Sequence, residues 1–262
     1  MSALNTIIDR IKANNKTLLI FDYDGTLTPI REKPELAKLD NETKNALEKL
    51  AKIDFIKIAL VSGRSIKDLQ NLTGINTSDI SMYGIHGGEI LKKGKIYVNI
   101  PESFKKDLND LKQTITDLSD MPGIIIEDKK YSLSVHYRLA DTKTAQIAVE
   151  KFKKQAEAKN LTNNFKFQEG RKVIELMPKN FNKGKAVNSL ITKHLGYLPV
   201  YFGDDKTDID AFKEIKKHNG LTFWIESDNS SNIPINTSSF PVDEIITIEK
   251  IKEIFLMFSS EI

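Results

Sequence analysis

Five short, mostly apolar runs constrain this chain most: Leu18–Phe21, Ile56–Val61, Ile80–Ile85, Val200–Phe202 and Leu221–Ile225. Strands that are apolar on both faces need cover on both faces. Between them, Asn41–Lys52, Ser65–Leu72, Lys183–Leu195 and Thr207–Lys217 carry apolar residues at helical spacing. Strand and helix in alternation predict an α/β architecture built on a doubly wound parallel sheet.

The middle of the chain has a different rhythm. Glu89–Val98 places Gly94 between two short extended runs, which is a hairpin signal. A helical stretch, Ser103–Leu118, precedes extended segments at Ile124–Glu127 and Tyr131–Tyr137. A second helix, Thr142–Lys159, precedes Phe165–Gln168 and Val173–Met177. This helix–strand–strand unit, occurring twice, predicts an α+β insertion at 101–178 between core segments 1–100 and 179–262.

Composition removes several classes of function. With no Cys among 262 residues, thiol catalysis, iron–sulfur clusters, Cys-ligated zinc and disulfides are excluded. Lys and Arg exceed Asp and Glu by 39 to 36, a mixed balance that gives no reason to expect nucleic acid or an anionic membrane as partner. No apolar run approaches the roughly 18 residues that span a bilayer, and the first residues lack the apolar core of a signal peptide. A cytoplasmic monomer acting on a small molecule is the expectation.

The chemistry concentrates at strand ends. Leu18-Leu-Ile-Phe runs into Asp22-Tyr-Asp24-Gly25-Thr26, and Tyr201-Phe-Gly203 runs into Asp204-Asp205-Lys-Thr-Asp208-Ile-Asp210. In open α/β sheets, ligands bind beyond the carboxyl ends of the strands. Asp-Gly is also a turn dipeptide, and Thr207, Asp208 and Asp210 suit the first turn of a helix. Neither explains four acids clustered at two strand ends, a pattern that suits a hard cation with oxygen ligands such as Mg²⁺. Val61-Ser62-Gly63-Arg64-Ser65 combines a strand end, a hydroxyl and a helix start, a suitable phosphate seat, with Ser65 read as the N-cap. His86 and Glu89 follow a strand end in a Gly-rich turn, and Trp224 reads as packing in a core strand.

Asp22-x-Asp24-Gly25-Thr26, Ser62, Lys183 and Gly203-Asp204-Asp205-x-x-Asp208 resemble, in order and spacing, the four motifs of the haloacid dehalogenase-like phosphohydrolases. Asp22–Ile30, Val61–Arg64, Gly84–Glu89 and Gly203–Phe212 resemble the trehalose-6-phosphate phosphatase family within that superfamily. Ile209 departs from the Glu usual there. The resemblance implies a Rossmann-like core with the insertion as an α+β cap, and hydrolysis of trehalose 6-phosphate. It implies Asp22 as nucleophile, Asp24 as acid and base, and Ser62 and Lys183 on the phosphoryl oxygens. Mg²⁺ would be held by Asp22, Asp24 and Asp204, with Asp208 at the metal or the lysine. Arg64, His86, Glu89, Arg138, Arg171 and Glu175 are the expected substrate contacts, with Arg171 and Glu175 foremost for the sugar. Sucrose 6-phosphate or mannosyl-3-phosphoglycerate phosphatases, a phosphosugar mutase and a non-catalytic sugar-phosphate module are the alternatives.

Overall fold

A computed structural model of the chain describes residues 9, 11, 13, 14, 16–76, 78–170, 172–226 and 241–259. Along the chain come β1 (Thr17–Phe21), α1 (Asn41–Leu50), β2 (Ile56–Val61), α2 (Ile66–Thr73), β3 (Ile80–Gly84), β4 (Glu89–Lys92) and β5 (Lys95–Val98). The middle holds α3 (Ser103–Thr114), β6 (Ile125–Asp128), β7 (Leu133–His136), α4 (Thr142–Ala158), β8 (Phe165–Gly170) and β9 (Val173–Pro178). The last part holds α5 (Lys183–Lys193), β10 (Leu198–Gly203), α6 (Ile209–Lys217), β11 (Leu221–Glu226), β12 (Glu244–Thr247) and α7 (Ile248–Ser259). The chain divides into two compact units, Met1–Val98 with Asn182–Ile262, and Asn99–Phe181.

In the first unit, eight strands pair in the order β12–β11–β10–β1–β2–β3–β4–β5. Pairing is parallel from β12 to β3 and antiparallel across β3–β4–β5, the expected hairpin closing one edge. Alternate side chains of each strand enter opposite layers. Leu19, Phe21, Leu60, Phe202 and Phe223 pack with Leu47 of α1, Leu69 of α2 and Phe255 of α7. Leu18, Ile20, Val61, Tyr201 and Trp224 pack with Val187 and Leu190 of α5 and Phe212 of α6. Two covered faces explain why these strands read as continuous apolar runs. Three phenylalanines, Phe21, Phe202 and Phe223, stack across the sheet centre with ring centroids 4.7 Å apart at each step.

In the second unit, four antiparallel strands pair as β6–β7–β9–β8. Leu133, Val135, Ile174 and Leu176 on one face bury against Leu108 and Leu111 of α3 and Ala148 and Phe152 of α4. The opposite face carries Glu127, Ser134, Glu175 and Gln168 in a single cross-strand row. The alternation that makes Tyr131–Tyr137 look half-exposed is this division into an apolar and a polar face.

Helix starts follow side-chain chemistry. Ser65 caps α2 through Asp68 N–H, as expected, and Asn182 caps α5 through Lys185 N–H. The helix expected from Thr207 instead begins with a 3-10 turn, Lys206–Asp208, capped by Asp205, and α6 proper starts at Ile209. The helix expected over Ser103–Leu118 ends at Thr114 and continues as a 3-10 turn, Thr116–Asp120.

Candidate active site

The parallel register brings the chemistry together. Phe21 of β1 lies beside Phe202 of β10 and Leu60 of β2. The residues just past these positions therefore emerge side by side: Asp204 after β10, Asp22 and Asp24 after β1, and Ser62 after β2. Asp22 N–H donates to the Phe202 carbonyl (2.9 Å) and Ser62 N–H to the Tyr83 carbonyl (2.9 Å), continuing the ladder to the sheet's end.

Beyond the ladder the chain turns at Gly25, whose φ is +86°. A Cβ there would lie 1.9 Å from Asp204 Oδ2, so only glycine lets the turn approach the second acidic strand end so closely. Thr26 Oγ1 donates to Asp204 Oδ1 (3.2 Å), tying the two acidic loops together.

Lys183, at the first turn of α5, is 3% exposed, with its ammonium 2.8 Å from Asp22 Oδ1 and 2.7 Å from Asp208 Oδ1. Burial works against its charge, but Asp208 and Asp22 together hold its pKa above the ordinary lysine range. Asp22, Asp204 and Asp208 are all buried, and each offers a carboxylate oxygen within 4.8 Å of the others. Burial pushes Asp22 up to about 7, with Lys183 pulling against it and Asp208 adding to it. Burial, then Asp22 and Asp208, push Asp204 well above the carboxylate range. Three buried carboxylates against one ammonium leave negative charge to be neutralised, and an all-oxygen donor set of this kind suits Mg²⁺.

Asp208, expected at the metal or the lysine, accepts four hydrogen bonds. Its Oδ1 accepts from Lys183 Nζ (2.7 Å) and Tyr201 Oη (2.5 Å), and its Oδ2 from the N–H groups of Asp204 (3.1 Å) and Asp205 (2.9 Å). These four bonds use the lone-pair directions of both oxygens.

Arg64 extends across the mouth of the first motif. Its Nε and Nη2 grip the two oxygens of Asp24 at 2.6 Å each, and Nη2 also donates to the Pro34 carbonyl (3.0 Å). The guanidinium expected on the substrate is thus forked onto the candidate acid. His86, with φ +53°, lies in a turn of left-handed residues, Ile85 to Gly87. Its N–H donates to the Ser62 carbonyl (2.9 Å), and a Cβ on Gly63 would lie 2.9 Å from its Nε2. Glu89 is buried and accepts from the N–H of Ile66 (2.9 Å), which holds the start of α2.

Glu175 lies on the polar face of the second unit. It accepts from Ser132 Oγ and from Lys129 Nζ (3.1 Å); Lys129 also reaches Glu127 (3.8 Å), which pairs with His136 Nε2 (2.8 Å). Glu127, Lys129 and Tyr201 were not singled out by sequence. Strand register, through Ser134, places Glu127 on the row with Glu175. Arg138 is exposed in the turn after β7, and Arg171 lies outside the described residues.

Residues 20–245 match the profile of the trehalose-phosphatase family. "Probable trehalose-phosphate phosphatase 4" of Oryza sativa subsp. japonica is 35% identical over 79% of this chain and 58% of its own length. "Trehalose-phosphate phosphatase B" of Arabidopsis thaliana is 32% identical over 82% of this chain and 61% of its own length. The chain therefore spans about three fifths of these curated relatives. Among solved structures, the C-terminal domain of a C. albicans trehalose-6-phosphate phosphatase superposes with a TM-score of 0.76 at 22% identity, covering 100% of this chain and 98% of that one. A trehalose-6-phosphate phosphatase related protein superposes with a TM-score of 0.74 at 23% identity, covering 93% and 97%. At such identities these two likenesses establish the fold. The profile match runs through every strand end and helix start that bears a candidate acid or Lys183, and the chain belongs to the trehalose-phosphatase family.

Proposed function

We propose that this protein is a Mg²⁺-dependent phosphatase that converts trehalose 6-phosphate to trehalose and phosphate, a step in trehalose biosynthesis. The observation that carries the reading is the buried ammonium of Lys183 wedged between Asp22 and Asp208, with Asp204 facing them. Such a site accepts an anion only where charge is already balanced, and phosphoryl transfer depends mainly on positioning and charge stabilisation.

Asp22 is the nucleophile. Its free carboxylate oxygen bonds to phosphorus as the bond to the sugar oxygen breaks, giving an aspartyl-phosphate. Asp24 gives its proton to the departing sugar oxygen, then takes one from the water that attacks the same phosphorus and releases Asp22 and orthophosphate. Arg64 must open its two-point fork for Asp24 to carry that proton, because such a fork pairs with a carboxylate. Lys183 and Ser62 hold phosphoryl oxygens. Asp22, Asp204 and the Asp24 carbonyl would hold Mg²⁺, which would offset the repulsion between nucleophile and phosphate.

The second unit serves as the cap, and its polar face supplies sugar recognition. Glu127 and Glu175 accept hydroxyl protons and Lys129 donates to hydroxyl oxygens, a set suited to a polyol. Arg171 and Arg138 complete the expected contacts. Phosphate release should be measured for trehalose 6-phosphate, sucrose 6-phosphate and glucose 6-phosphate, with Mg²⁺ and with chelator. A clear preference for trehalose 6-phosphate that vanishes on chelation supports this reading. Preference for another sugar phosphate would contradict the substrate, and full activity in chelator would contradict the metal.

A further inference from the structure

Tyr201 sits at the centre of β10 with no exposure, one position beside Ile20 of the neighbouring strand. Its ring packs edge-on against Phe212 (5.5 Å) in an otherwise apolar layer. On the opposite face, the rings carried by β1, β10 and β11 are phenylalanines: Phe21, Phe202 and Phe223. A phenylalanine at 201 would pack equally well, and a buried hydroxyl is costly unless it is used. Here it is used once, in a 2.5 Å bond to Asp208 Oδ1.

That oxygen also receives Lys183. The result is a buried relay from Tyr201 through Asp208 and Lys183 to Asp22, every link between 2.5 and 2.8 Å. With two amides holding Oδ2, the phenol supplies the fourth bond that stops the Asp208 carboxylate from rotating about Cβ–Cγ. We infer that Tyr201 is a positioning residue for the reaction: its hydroxyl fixes Asp208, Asp208 fixes Lys183, and Lys183 is thereby aimed at the oxygens that react at Asp22. The inference rests on the reading of Asp22 as nucleophile. Burial, with Asp208 adding to it, keeps the phenol far above its usual pKa, so it remains a donor at working pH.

Lys183 serves the phosphoryl group rather than the sugar, which sets the signature of Tyr201→Phe. Its kcat should fall roughly tenfold or more on trehalose 6-phosphate and equally on p-nitrophenyl phosphate, with KM within about twofold and melting temperature within about 5 °C. Combined with Asp208→Asn, Tyr201→Phe should add no further loss beyond that of Asp208→Asn alone. A wild-type kcat in Tyr201→Phe would overturn the inference. So would loss of cooperative melting, which would assign the hydroxyl to stability, or a double variant tenfold slower than Asp208→Asn. Asp22→Asn run alongside separates the two levels. Turnover in Asp22→Asn defeats the nucleophile assignment itself, whereas an inert Asp22→Asn with unimpaired Tyr201→Phe defeats only the role of Tyr201.

Discussion

Lys183 is held out of water by two carboxylates, so it should not be removable without consequence. Lys183→Met leaves Asp22 and Asp208 buried without their ammonium, and should lower unfolding free energy by about 3–5 kcal/mol in denaturant titration as well as abolish turnover. Asp22 gives a pH signature. Its pKa rises from an unfolded 3.8 to about 7, chiefly through burial. The stability it contributes to the metal-free protein is present below pH 4 and lost as pH rises through about 7. At the proposed site Mg²⁺ would bind the ionised form, so the gain in melting temperature on adding Mg²⁺ should grow from pH 5 to pH 8. A gain that is flat or falls over that range would mean that Asp22 does not meet the metal. At this scale the sequence is uneven as a guide. Asp22 and Asp204 stand out because they end apolar strands. Arg64 declares only a charge, because its partner Asp24 lies 40 residues away. Asp208 fits both a first-turn acid and a site residue; in the structure it completes a capping box with Asp205 while bonding Lys183.

Elements are legible where burial is two-sided. β1, β2, β10 and β11 announce themselves as apolar runs because helices cover both faces. β12 is short and half-polar and was not expected, since periodicity over so few residues decides little, and α7 after it was not expected either. The phenylalanine stack at the sheet centre is the test of this packing. Phe202→Ala should cost about 3–5 kcal/mol in unfolding free energy, because a rigid sheet cannot collapse into the void. The turn after β1 is the other sensitive element. Gly25→Ala combines a left-handed φ with a Cβ inside the Asp204 carboxylate, so it should abolish turnover and weaken Mg²⁺ binding, read by calorimetry, more than it lowers stability. Wild-type metal affinity in that variant would show that the two acidic strand ends need not approach so closely.

Across the whole molecule, the candidate acids and the proposed sugar contacts fall in different units. The candidate acids and Lys183 belong to the first unit, and Glu127, Lys129 and Glu175 belong to the second. Among the described residues no helix is long and apolar enough to cross a membrane. Truncating Glu175 should therefore lower kcat/KM for trehalose 6-phosphate by about 10- to 150-fold while leaving p-nitrophenyl phosphate nearly untouched. Equal losses on both would move Glu175 from sugar recognition to support of its own sheet through Ser132 and Lys129. The two acidic strand ends and the antiparallel middle segment were legible because each has a local pattern. The polar row of the second unit was not, because strand register, not sequence spacing, assembles it. The most direct test is phosphate release from trehalose 6-phosphate with Mg²⁺, wild type against Asp22→Asn. The aspartyl-phosphate route predicts rapid release by the wild type and none above background by a folded Asp22→Asn; release by the variant at a near wild-type rate would contradict it.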